Sequence, residues 1–128
     1  MNALTISKLA NQVAVGVETV RYYQRRGLLN EPSREAGIRH YGDEDVRRLR
    51  FIRAAQAAGF TLEEISVLLN LDAIDDRRKV REMAETRIAI LDVNIAEMKA
   101  ARAALSRLAM DCKRSKAQAC PIISAFEP

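Results

Sequence analysis

The 128 residues leave room for one compact domain plus an appendage rather than two full domains. A composition that is 48% hydrophobic and 30% charged excludes a disordered chain. No apolar run approaches the roughly 18 residues that would span a bilayer, and the opening MNALTISKLANQ has no basic-then-apolar leader pattern, so a cytoplasmic protein without membrane partners is expected. The net charge of +4 is unevenly placed: residues 1–60 hold ten Lys/Arg against six Asp/Glu, and residues 61–128 hold eleven of each, so a polyanionic partner is expected at the amino-terminal half.

In chain order, Thr5 opens a helix whose apolar positions Ile6, Leu9, Ala10 and Val13 follow helical spacing. Val15-Gly16 reads as a tight turn, and residues 17–26 as a second helix stopped by Gly27. Residues 28–42 have no helical period and contain Pro32, Gly37, Arg34, Arg39, His40 and Tyr41. Asp43, Glu44 and Asp45 load the first turn of a third helix with negative charge, as the helix dipole favours. Its expected stripe is Val46, Leu49, Phe51, Ile52 and Ala55, with Gly59 at its end. Thr61 and Glu64 form a capping box for a fourth helix over residues 62–69, followed by a polar linker over 72–76.

From Asp76 to about Met110 there is neither Gly nor Pro, which predicts one long helix. Ala84, Ile88, Leu91, Ile95, Met98, Arg102, Leu105 and Ala109 recur in steps of four and three, the seam of a coiled coil. Nothing else in the chain is long enough to cover that seam, so a second copy running antiparallel is expected. A loop over 111–119 and a short helix begun by Pro121 complete the chain. The expected architecture is all-α, with divisions at 1–71, 72–110 and 111–128.

Helix, tight turn and a second helix dense in basic and aromatic residues is the helix-turn-helix pattern. Glu18, Thr19, Arg21, Tyr22, Arg25 and Arg26 are the candidates on its second helix to meet the major groove or flanking phosphates of double-stranded DNA. Arg34, Arg39 and Tyr41 form a second cluster where a winged variant would set its wing against the backbone. Several features in fixed order resemble the MerR family of bacterial regulators. They are Arg21-Tyr22-Tyr23, the following Gly-Leu-Leu, the wing Arg39-x-Tyr41, and the Gly-Phe-x-Leu-x-Glu-Ile run from Gly59 to Ile65. The resemblance implies a winged helix-turn-helix, a long antiparallel dimerisation helix and an effector region. It also implies a backbone-contacting Arg53, an inward-packed Tyr23, and a homodimer that acts on RNA polymerase by reshaping promoter DNA. His40 reads as a neighbour of phosphate rather than a metal ligand.

In that family, metal sensors end in a cysteine-bracketed loop followed by Pro-Ile-Ile or Pro-Leu-Ile, and here the segment is Cys112-KRSKAQA-Cys120-Pro121-Ile122-Ile123. Two soft thiolates without a neighbouring His or carboxylate set suit a soft ion in two-coordinate geometry. The resemblance places Arg77 where mercury, zinc, cadmium and lead sensors carry a third cysteine. It places Arg81 where copper regulators have a basic residue, and those regulators share the seven-residue spacing. Copper(I), silver(I) or gold(I) is therefore the first expectation and mercury(II) the second, although residues 4–71 look closer to mercury regulators. A redox or electrophile sensor using the same thiols is the alternative. No nucleophile–base pair, phosphate-binding loop or paired acid suggests an enzyme.

Overall fold

The computed structural model describes residues 4–32, 40–114 and 120–125. Six helices follow in order: α1 (Ile6–Val13), α2 (Val17–Arg25), α3 (Asp43–Ala57), α4 (Leu62–Ala73), α5 (Arg77–Arg114) and α6 (Pro121–Ser124). The chain divides into two compact units, Met1–Met83 and Ala84–Pro128, with the boundary inside α5.

The first unit owes its helix boundaries to local chemistry. Thr5 caps α1 by accepting a hydrogen bond from the Lys8 amide at 3.3 Å. Ala14 then turns left-handed (φ 58°), and Gly16 caps α2 after a connection of three residues. Gly27, at φ +74°, ends α2 in a backbone conformation that costs glycine nothing. Asp45 caps α3 by accepting from the Gly42 amide at 2.8 Å. In the capping box of α4, Glu64 Oε1 accepts from the Thr61 amide (2.9 Å) and Thr61 Oγ1 from the Glu64 amide (3.1 Å).

These helices close one core. Leu9, Val20, Leu28, Leu49, Ile52 and Ile65 are almost wholly buried in it, with Tyr23 beside them. Leu4 and Tyr41 join in an isolated antiparallel bridge, exchanging backbone hydrogen bonds of 2.9 and 2.8 Å, which ties the chain's start to the entry of α3. Two expectations are corrected here. Phe51 is 40% exposed, because it lies about 100° round the helix from Ile52 and falls outside the stripe of Val46, Leu49, Ile52 and Ala55. Helix α4 runs one turn further than residue 69, since nothing in Asn70-Leu71-Asp72-Ala73 breaks a helix, and it stops where Asp75 turns left-handed at φ 55°.

In the second unit, α5 extends to Arg114, past the expected end near Met110, so Cys112 lies on the helix rather than in a loop. No residue of α5 is buried within the chain, and the seam residues Ile88, Ile95, Met98 and Leu105 stand about half or more exposed. No helix of the described residues is long and apolar enough to cross a membrane.

Candidate functional site

Two groups of residues carry the chemistry, one in each unit. On α2, Glu18, Arg21, Tyr22 and Arg25 all point to solvent at spacings of three, four and seven, so a single helical face presents two guanidiniums, a phenol and a carboxylate. Thr19 is half-buried at its edge. The opposite face carries Val20 and Tyr23 into the core. The Tyr23 hydroxyl donates to Gln56 of α3 and accepts from Arg53 Nη1 at 3.2 Å, so its inward packing is as expected. Arg53 is otherwise exposed on α3.

Arg26 sits at the border of the α2 face. Its Nη1 donates to the Tyr22 hydroxyl at 3.3 Å, and its guanidinium carbon lies 5.9 Å from the Tyr22 ring centre. Its Nη2 pairs with Glu63 of α4 at 3.0 Å.

The wing expectation divides. Arg34 and Arg39, with Gly37, lie outside the described residues. His40 is exposed. The expected outward role of Tyr41 is corrected: its ring is only 2% exposed, and its hydroxyl accepts from Gln24 Nε2 at 2.8 Å. It anchors the base of this segment against α2, and the bridge to Leu4 is what turns it inward. Arg48 was not foreseen from sequence either. Its Nε donates to the Leu28 carbonyl at 2.6 Å and holds the exit from α2 onto α3. No sequence signal marks such a contact, because the partner is a backbone oxygen twenty residues away.

At the far end of the chain, the Sγ atoms of Cys112 and Cys120 approach to 3.1 Å, with both cysteines free and partly exposed. Helix α5 delivers the first; the second caps the short helix begun by Pro121. The separation is well beyond a disulfide's ~2.05 Å and within hydrogen-bond reach, with either sulfur able to donate. The two sulfurs accordingly titrate apart. Cys112 is pushed up from the usual thiol value by its hydrogen bond to Cys120, with burial and the Cys120 charge adding to it. Cys120 is lowered by the same hydrogen bond and by the amides of Ile123 and Ile122, against a smaller effect of burial.

An ion bound there would meet both sulfurs as thiolates, so binding would release whatever protons they carry. Among the described residues there is no group of three or more His, Cys, Asp or Glu that could enlarge the site. Lys113 and Arg114 stand beside it on the last turn of α5; Lys116 lies outside the described residues. Arg77 is ion-paired with Asp75 at 3.1 Å in the first unit.

A helix-turn-helix with a basic outer face, continued by a long helix, defines the class of a DNA-binding regulator. The MerR HTH family regulatory protein model matches residues 4–72, and a MerR DNA-binding model matches residues 46–108. The chain belongs to the MerR family and groups with its metal-sensing branch. It is 38% identical over 126 residues to the mercuric resistance operon regulatory protein of Shigella flexneri, covering 97% of this chain and 88% of that one. Two solved structures are similar to it. One is the transcription regulator PbrR691 from Ralstonia metallidurans with lead(II), at TM-score 0.71 and 31% identity over 97% of this chain and 99% of that one. The other is the dual-function regulator MerR of Bacillus megaterium with mercury(II), at TM-score 0.65 and 32% identity over 96% and 98%.

Proposed function

We propose that this chain is a metal-responsive transcription regulator that binds a promoter palindrome as a homodimer and activates transcription when a soft metal ion binds Cys112 and Cys120. The observation that carries the reading is the pair of free sulfurs 3.1 Å apart at the end of the long helix. Cys112 and Cys120 would hold the ion, which would supply a soft Lewis acid for their thiolates. The protein's own residues do the rest. Residues 1–71 present Glu18, Thr19, Arg21, Tyr22, Arg25 and Arg53 to DNA, with Arg34 and Arg39 on the wing. Residues 72–110 join two copies through the exposed seam, and residues 111–128 hold the metal. A change in how Cys112 is held moves the end of α5, and the dimer transmits that movement to the DNA, where it realigns the promoter for RNA polymerase.

Two soft donors favour ions content with two ligands, and zinc, which usually takes four, is disfavoured. Mercury(II) has the support of the mercuric-resistance relative and the mercury-bound structure. Copper(I), silver(I) or gold(I) rests on the seven-residue spacing between the cysteines and on Arg77 in place of a third one. A promoter reporter titrated with each ion decides between them. Induction by mercury(II) or a coinage-metal ion, lost with Cys112→Ser or Cys120→Ser while DNA binding persists, is the expected result. Strong zinc induction would contradict it.

The same 3.1 Å separation also supports the second reading, a thiol redox sensor: a hydroperoxide would oxidise one thiolate to a sulfenic acid, releasing an alcohol, and the neighbouring thiol would then displace water to form the disulfide. Protein purified without air separates the two. One metal ion per chain supports the metal sensor, whereas metal-free protein with a reversible Cys112–Cys120 disulfide supports the redox sensor.

A further inference from the structure

The cation at the border of the α2 face is the least expected feature of the first unit. Arg26 lies one turn beyond Tyr22, and it is held from two sides: by the Tyr22 hydroxyl and ring within α2, and by Glu63 from the first turn of α4. Its neighbours Arg21 and Arg25 are exposed and have no such tether among the described residues. The Arg26–Glu63 pair is solvent-exposed, with the two side chains 42% and 76% accessible, and exposed pairs of this kind add little to stability. Its consequence is therefore positional: it decides where one positive charge sits next to a surface that meets a polyanion.

We propose that Glu63 is a specificity-determining residue for DNA binding. It withholds Arg26 from the phosphate backbone and keeps that guanidinium as a brace that orients Tyr22. A free arginine at this border would add a phosphate contact that every sequence offers equally, strengthening binding to any duplex and narrowing the advantage of the correct one. Tyr22 is a side chain that a sequence-reading face needs in a single orientation, and the hydrogen bond and cation–π contact from Arg26 supply it. The proposal rests on the DNA-binding reading of α2.

The test uses the full chain, a duplex enriched by the wild-type protein from a random-sequence pool, and an unrelated duplex. Affinities are measured across a salt series for the wild type, Glu63→Gln, Arg26→Ala, the double variant and Glu63→Asp. Glu63→Gln should steepen the salt dependence by about 0.9 in log–log slope, one further phosphate neutralised. It should raise affinity for the unrelated duplex roughly three- to eightfold at 0.1 M salt, and lower the specific-to-unrelated ratio by a similar factor. Arg26→Ala should leave the slope at the wild-type value while weakening the enriched duplex several-fold. The double variant should behave as Arg26→Ala, and Glu63→Asp, which keeps the charge, should stay near wild type. A Glu63→Gln slope equal to wild type, or a steeper slope that survives removal of Arg26, would overturn the proposal alone. A wild-type chain that enriches no duplex would overturn the DNA reading beneath it as well.

Discussion

The two units differ in how they are finished. The first closes a core around Leu9, Val20, Tyr23, Leu49, Ile52 and Ile65, and α1, α3 and α4 are capped by its own side chains. The second is the stretch of α5 over residues 84–114, followed by the four-residue α6, with nothing buried in either. The seam residues Ile88, Ile95, Met98 and Leu105 face solvent. One half has what it needs to fold; the other is written for contacts that a single copy does not contain.

Deleting packed volume should expose the contrast most strongly. Leu49→Ala, at a fully buried position, should cost about 2–5 kcal/mol of stability, read as a lower denaturant midpoint with an unchanged DNA contact set. The matching change on the seam, Leu91→Asp, should spare the fold of the first unit and convert a dimer to a monomer, since each buried leucine there contributes about 1.5–3 kcal/mol. Sedimentation distinguishes the two, and a wild-type chain that sediments as a monomer at micromolar concentration would break the comparison.

On the DNA side, Arg21→Ala should weaken binding by about 1–3 kcal/mol and leave metal affinity unchanged. If Arg21 meets phosphate rather than a base edge, the salt slope should also flatten by about 0.9. The smallest effect belongs to the cap of α4. Thr61→Ala removes the oxygen that accepts from the Glu64 amide and should cost about 1 kcal/mol, visible in thermal unfolding but not in DNA specificity.

Much of this was legible in sequence because its causes are local. The Thr61–Glu64 box, the Gly27 stop, the acidic first turn of α3 and the cysteine before Pro121 each act within a few residues, and each stands where expected. The order of motifs carried the family. What sequence could not supply came from partners far apart in the chain. Tyr41 turns inward because Leu4 and Gln24 hold it, and Arg26 is tethered by a glutamate thirty-seven residues on. The pairing of Cys112 with Cys120 was expected from the cysteine-bracketed segment, but the helix that carries the first was not. Their spacing permits it, but α5 had to run on to Arg114 to set the first sulfur in place.

The central claim is that these two sulfurs, and no other protein ligands, hold the metal. X-ray absorption on protein loaded without air with one equivalent of mercury(II), and separately of copper(I), tests it directly. The account predicts two sulfur scatterers around one ion per chain, and loss of that signature in Cys112→Ser. A shell containing nitrogen or oxygen donors from the protein, or a sulfur-bound ion that survives the loss of Cys112, would contradict it.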